Sequence, residues 1–179
     1  MVLGEQGGEP GAFDSEGTTP NKKETMSKHL WLVACLIAGN VSAAPWSPND
    51  DLLHAVRVVE SGEGLYTWGD EGRSLGDFQI SEGAWQDVNS WRKSRGLPLY
   101  AYEQHVWNKK VSRVYAAEYM QILGRELERR LNRPPKPTEV YAAYNMGLAS
   151  FAQCKYKLAR VNPTTARKCE QIRAMLNGH

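Results

Sequence analysis

The feature that most constrains the fold is a helical pattern running from about 103 to 132. Apolar residues recur along this stretch at spacings of three and four, and they cover a wide face of the predicted helix. Three prolines, Pro134, Pro135 and Pro137, follow and would end it. A helix with so wide an apolar face needs other elements around it. The pattern therefore predicts a helical fold with this segment as a buried central helix.

Shorter helical patterns lie on both sides of it. We expect a helix capped by Ser47 and ended by Gly62, with Leu52, Val56 and Val59 on its apolar stripe. Another helix begins at Ser81. Further helices are predicted at 138–146, about 149–160 and 164–177.

The stretch from Leu65 to Arg73 has no helical period and contains a short predicted strand, 66–68. A short β or loop segment therefore follows the first helix of a mainly helical chain. The predicted class is mainly α, in an α+β arrangement.

The N-terminal part of the chain differs from the rest in composition. Residues 1–25 contain five of the 16 glycines and almost no large apolar side chains, which predicts a disordered or untranslated extension. Residues 26–43 have one lysine, a short apolar run and a small-residue end, the arrangement of a secretory signal peptide. A lipoprotein signal ending at Cys35 is the alternative. We therefore expect a single domain over 44–179 and a secreted or periplasmic protein.

Removal of residues 1–43 would leave 19 Lys and Arg against 15 Asp and Glu, a net charge of +4. A mildly basic exported protein suits an anionic polymer such as a bacterial wall. Two cysteines, Cys154 and Cys169, would remain, and an even pair in an oxidising compartment predicts a disulfide. Two thiols and scattered histidines do not form a metal-ligand set, and no pattern indicates a nucleic-acid module. We expect no metal, no cofactor, no nucleic-acid partner, no stable membrane insertion after signal removal, and a monomer.

One acidic residue stands at the edge of the first apolar stripe. Glu60 follows Leu53 and Val56 at helical spacing and precedes the break at Gly62. Apolar surroundings and the negative end of a helix both favour the neutral form of a carboxyl group, which can then act as an acid. A solvated glutamate in the last helical turn is the alternative. Asp70 and Glu71, in the loop that follows, are candidates for a second carboxylate.

Three motifs resemble those of the lysozyme-like superfamily of peptidoglycan-cleaving enzymes. Glu60-Ser61-Gly62 is similar to the Glu-Ser-Gly that carries the catalytic acid of lytic transglycosylases and invertebrate-type lysozymes. The run 74–80, Ser-Leu-Gly-Asp-Phe-Gln-Ile, resembles the Ser-Cys-Gly-Pro-Phe-Gln-Ile of the invertebrate-type enzymes. The run 142–147, Ala-Ala-Tyr-Asn-Met-Gly, is similar to the Ala-x-Tyr-Asn-x-Gly of the transglycosylases.

This resemblance implies a lysozyme-like fold and cleavage of the β-1,4 bond between N-acetylmuramic acid and N-acetylglucosamine. Glu60 would be the general acid and Asp70 the second catalytic carboxylate. The substrate-binding residues implied by the motifs are Ser61, Asp77, Phe78, Gln79, Tyr144 and Asn145. A lytic transglycosylase that gives 1,6-anhydro products and a non-catalytic wall-binding protein of the same fold remain alternatives.

Overall fold

Helices dominate the part of the chain that the computed structural model describes, which is residues 44–69 and 72–178. These residues belong to one compact unit. The helices are α1 (Asp50–Ser61), α2 (Glu82–Lys93), α3 (Tyr102–His105), α4 (Lys109–Leu131), α5 (Pro137–Met146), α6 (Leu148–Gln153) and α7 (Pro163–Asn177), with a 3-10 turn at Leu158–Arg160. The strands are β1 (Trp68–Gly69), β2 (Ser74–Leu75) and β3 (Ile80–Ser81). The predicted mainly helical class with a small β segment is confirmed.

Helix α1 begins two residues later than predicted. The side chain of Asn49 accepts a hydrogen bond from the N–H of Leu52 at 2.9 Å, so Asn49 is the cap and Ser47 is not. The helix ends at Gly62 as predicted, where φ is +57°. This left-handed conformation carries little cost for glycine and turns the chain away from the helix axis.

The long pattern at 103–132 forms two helices instead of one. The side chain of Asn108 accepts hydrogen bonds from the N–H groups of Lys110 and Val111 and so starts α4 separately from α3. Helix α4 is buried on one face only, and Val114 on its other face is 46% exposed. The prediction that this segment is a buried central helix is therefore wrong.

Helix α5 occupies the buried position instead. Every side chain from Thr138 to Ala143 is buried, and α5 packs against α4, α6 and α7. Glu139 is buried in its first turn, where its carboxylate accepts hydrogen bonds from the guanidinium of Arg133 and from the N–H of Lys136. The last turn of α5 ends at Gly147, as the sequence predicted.

The three strands form an antiparallel sheet in the order β1-β2-β3. Residues 76–79 connect β2 to β3 in a tight turn in which the N–H of Gln79 donates to the carbonyl of Gly76 at 3.1 Å. Gly76 has φ of +76°, and a Cβ atom there would lie 2.5 Å from the carbonyl oxygen of Val106. Glycine is therefore required by both backbone conformation and space.

Helix α7 packs against α1 and α5 and brings the C-terminal part of the chain beside the end of α1. The side chain of Ile172, on α7, is fully buried. Within residues 44–69 and 72–178, no helix has both the length and the apolar character needed to cross a membrane.

Candidate active site

The carboxylate of Glu60, in the last turn of α1, is the centre of the site. Its side chain is only 6% exposed. Oε1 accepts hydrogen bonds from the hydroxyl of Tyr141 at 2.7 Å and from Nδ2 of Asn145 at 3.2 Å, and Oε2 lies 2.6 Å from Nζ of Lys168. Both oxygens are thus engaged, and the alternative of a solvated last-turn glutamate does not hold.

Helix α5 supplies two of the three partners that Glu60 has among the described residues. Tyr141 and Asn145 are four residues apart, so they lie on the same face of the helix. Burial, followed by the charge of Glu60, raises the pKa of Tyr141 well above its usual value. Its phenol therefore stays a hydrogen-bond donor over the ordinary pH range and fixes the direction of one carboxylate oxygen.

Helix α7 supplies the third partner and orients the amide of Asn145. The hydroxyl of Thr165 donates to Oδ1 of Asn145 at 2.7 Å, and Nδ2 of Asn162 donates to the Thr165 hydroxyl at 3.0 Å. With Oδ1 accepting from Thr165, Nδ2 of Asn145 is free to donate to Glu60. Lys168, three residues after Thr165, lies on the same helical face.

A cleft of about 640 Å³ opens in front of Glu60. This volume falls in the range of ligand-binding sites in proteins. The cleft is lined largely by side chains that can donate or accept hydrogen bonds. They include Glu60, Arg73, Ser74, Gln79, Ser81, Tyr119, Tyr144, Asn145, Asn162, Thr164, Thr165 and Lys168. Such a wall suits a ligand with many hydroxyl and amide groups.

The turn between β2 and β3 forms one wall of the cleft. Gln79 has φ of +48°, which is uncommon for a residue other than glycine, and its side-chain amide donates to the carbonyl of Gly76 at 2.8 Å. The hydroxyl of Tyr144 donates to the carbonyl of Phe78 at 2.7 Å and so joins α5 to the turn. Gln79, Tyr144 and Asn145, three of the predicted substrate-binding residues, therefore line the cleft together.

The other three predicted substrate-binding residues, Ser61, Asp77 and Phe78, do not line the cleft and instead support the turn that forms its wall. Ser61 is buried, and its hydroxyl lies 2.7 Å from the carbonyl of Asp77 while accepting from the N–H of Gly64. The carboxylate of Asp77 pairs with Arg57, and the ring of Phe78 belongs to the hydrophobic core. Arg57, Asp77 and Phe78 line a separate pocket, so these side chains position the turn without facing the cleft.

Several predictions fall on residues outside the described ranges. Asp70, the predicted second carboxylate, and Glu71 lie between the two ranges, and the extension and signal peptide precede them. The structure does not test these predictions, and they remain predictions.

The predicted disulfide is wrong. Cys154 and Cys169 are both free thiols. Sγ of Cys154, after α6, lies 3.3 Å from the carbonyl oxygen of Arg160. Sγ of Cys169 is buried on the side of α7 that faces α5, 3.6 Å from the carbonyl oxygen of Thr138. A suitable spacing along the sequence does not bring the two sulfur atoms together, because each thiol lies against a different segment.

Sequence reasoning missed Tyr141, Thr165 and Lys168. Tyr141 was visible as a neighbour of the Tyr-Asn motif at a spacing of four from Asn145. Thr165 and Lys168 carried only the weak signal of sharing one helical face. Their role depends on the packing of α7 against α1, which no local pattern reveals.

Among the described residues, no group of three or more histidine, cysteine, aspartate or glutamate side chains could hold a metal ion. Comparisons with protein-family models, curated proteins and solved structures found no match to this chain.

Proposed function

We propose that this protein cleaves the glycan strands of peptidoglycan at the β-1,4 bond between N-acetylmuramic acid and N-acetylglucosamine, with Glu60 as the general acid. The proposal includes a lysozyme-like fold and a secreted or periplasmic location. One observation carries it: three motifs far apart in sequence converge on one cleft. Asn145 contacts Glu60 across 85 positions of the chain, and Tyr144 contacts the turn at Phe78 across 66 positions.

The contacts around Glu60 suit the role of a general acid. A general acid must stay within hydrogen-bonding reach of the leaving oxygen, and its orientation must be fixed by neighbours. Tyr141 and Asn145 both hold Oε1, which leaves Oε2 with the flexible side chain of Lys168 as its partner. Movement of Lys168 would free Oε2 to protonate the glycosidic oxygen of a sugar bound in the cleft.

Asp70 decides between reaction outcomes in this proposal. A carboxylate about 5–5.5 Å from Glu60 would act as the nucleophile of a retaining hydrolase, whereas one at about 6.5–9.5 Å would position water for inversion. If Asp70 does neither, the acetamido group of the substrate would attack and give the 1,6-anhydro product of a lytic transglycosylase. Gln79 and Tyr144 would orient sugar hydroxyls in either case.

The first experiment compares release of soluble muropeptides from purified wall by wild type, Glu60→Gln and Glu63→Gln. Glu63 is an exposed glutamate three residues beyond Glu60 and is the matched control. We expect Glu60→Gln to lower the rate at least about 100-fold while Glu63→Gln stays near wild type, because Glu60 lines the cleft and Glu63 does not. Wild-type release by Glu60→Gln would rule out the assignment.

Mass analysis of the products then separates the two reactions. Reducing ends and anhydro ends differ by one water. Asp70→Asn should abolish hydrolysis if Asp70 is the nucleophile or base. It should leave anhydro products unchanged if the substrate supplies the nucleophile.

The Glu60–Lys168 ion pair favours a second candidate, a non-catalytic wall-binding protein. A permanently charged carboxylate could not donate a proton. This candidate requires that wild-type protein bind wall without releasing products, whereas the proposed enzyme must release them.

A further inference from the structure

The ion pair between Glu60 and Lys168 is the least expected feature of the cleft. The two side chains are only 6% and 19% exposed, and Nζ lies 2.6 Å from Oε2. An ammonium at this distance favours the charged carboxylate, whereas a general acid must carry a proton when the bond breaks. A proposed enzyme with this site therefore needs a way to separate Lys168 from Glu60 when substrate binds.

Protonation of Glu60 would leave the ammonium of Lys168 without its anionic partner. A mostly buried cation that loses its counter-charge is costly, so Lys168 would need another anion. Within the described part of the chain, the other groups that bond to Glu60 are Tyr141 and Asn145, which are uncharged donors and cannot take that place.

Lys168 lies on the cleft wall beside Glu60, where its ammonium can also reach a bound ligand. Among the residues that the structure describes, the charged side chains lining the cleft are Glu60, Arg73 and Lys168. Lysine has a flexible stem with a compact charge at its end, so its ammonium can turn from Glu60 toward a ligand without movement of α7.

We propose that Lys168 is a recognition residue for a carboxylate carried by the glycan. This inference rests on the proposed function and adds a specificity to it. The substrate carboxylate takes over the ammonium from Glu60, and Glu60 takes up one proton from water. The net charge of the site is balanced, because the ligand brings one negative charge as Glu60 loses one. Lys168 remains protonated throughout.

Replacement of Glu60 by a substrate carboxylate as the partner of Lys168 makes protonation of Glu60 depend on which substrate is bound. A glycan with a carboxylate, on a lactyl ether or on a stem peptide, would both fill the cleft and release Glu60. A neutral chitin-type glycan would fill the cleft and leave the ion pair in place. The protein would therefore prefer carboxylated glycans by a mechanism that acts on both binding and rate.

The binding test uses the Glu60→Gln protein, in which cleavage does not interfere. Its ligands are peptide-free muramic-acid glycan, the same glycan with stem peptides, and chitooligosaccharides of equal length. We expect at least about tenfold tighter binding of one or both carboxylated ligands over the neutral one, equivalent to about 1.4 kcal/mol. The Glu60→Gln/Lys168→Met double variant should lose this preference, and Glu60→Gln/Lys168→Arg should retain it. The ligand that binds more tightly than the neutral one shows whether Lys168 binds the lactyl carboxylate or a carboxylate of the stem peptide.

The rate test uses wild type, Lys168→Met and the control Lys93→Met, which removes one exposed positive charge on α2. Lys168→Met should lose the preference for carboxylated glycan in kcat/KM. Cleavage of the neutral glycan by Lys168→Met should also be faster than in wild type, because no ammonium then occupies Oε2 of Glu60. Lys93→Met should change neither result. A structural role for Lys168 would lower stability and reduce cleavage of both glycans alike, with the preference for carboxylated glycan unchanged.

Equal preference for carboxylated glycan in the Glu60→Gln protein with and without Lys168 would overturn the inference and leave the proposed cleavage intact. Absence of cleavage by wild type, with the Lys168-dependent binding preference still present, would overturn the proposed cleavage and leave the recognition role intact.

Discussion

Asp77, in the turn after β2, is ion-paired with Arg57 on α1, with Oδ2 2.8 Å from Nε. The guanidinium of Arg57 also donates to the carbonyl of Glu63 at 2.6 Å. One side chain thus connects the helix that carries Glu60, the loop that follows it and the turn that lines the cleft. Asp77 was predicted to bind substrate, whereas its contacts give it a structural role.

Asp77→Asn should therefore lower stability and leave substrate affinity unchanged. Loss of a charge-assisted hydrogen bond with a largely buried partner should cost about 1–3 kcal/mol of unfolding free energy. Urea unfolding measures this cost, with the exposed Asp87→Asn on α2 as the control. A rise in KM for wall fragments at unchanged stability would instead support contact with substrate.

Tyr141→Phe should weaken catalysis without disrupting the fold. The substitution removes the hydrogen bond to Oε1 of Glu60 and keeps the ring in the core. We expect kcat/KM to fall about tenfold, because loss of one hydrogen bond that orients Glu60 should raise the activation free energy by about 1.4 kcal/mol. Tyr102→Phe is the matched control, because it removes a buried hydrogen bond to the carbonyl of Ile80. Equal effects of both variants on kcat/KM would contradict a specific role of Tyr141.

Gly124→Ala should destabilise the protein although it adds helix propensity. Alanine in place of glycine within a helix normally stabilises by up to about 1 kcal/mol. A Cβ atom at Gly124 would overlap the indole of Trp46, so we expect a net loss of about 1–3 kcal/mol. Gly83→Ala on α2, where a Cβ atom meets nothing within 4 Å, should be neutral or stabilising. In a Trp46→Ala background the penalty at Gly124 should disappear, and its persistence there would exclude this cause.

Glu139 should make stability depend on pH in the acid range. Burial raises the pKa of Glu139, but hydrogen bonds from Arg133 and Lys136 outweigh it and hold the pKa below the ordinary 4.5. Its contribution to stability is therefore present above about pH 4.5 and is lost as the pH falls through the lower folded-state value. Glu139→Gln should be less stable than wild type at pH 7, and the difference should shrink below about pH 4.5 in urea unfolding. Glu103→Gln, which replaces an exposed glutamate, is the matched control. A constant deficit for Glu139→Gln would contradict the lowered pKa.

Cys154 and Cys169 should be alkylated without prior reduction. Burial raises the pKa of the Cys169 thiol to about 11, so it should react only after unfolding, whereas the half-buried Cys154 should react in the native protein. Mass analysis of peptides from alkylated, unreduced protein measures both. A peptide pair joined through these two cysteines would restore the disulfide prediction.

The sequence alone determined the local features of this protein. Helix ends at Gly62 and Gly147 and the helix start at Ser81 were readable because capping and glycine conformations depend on a few neighbouring residues. Glu60 was singled out from its place between an apolar stripe and a helix break together with the motif resemblance, and it lines the cleft.

Only the tertiary structure decided which side chains meet. It selected α5 over the longer α4 as the buried helix, separated Cys154 from Cys169, and placed Lys168 against Glu60 at a distance of 108 positions in the chain. Periodicity reports which face of a helix is apolar, but it does not report which helix that face contacts. The ion pair at Glu60 exists because α7 packs on α1, and that packing depends on the shape and buried area of both helices together.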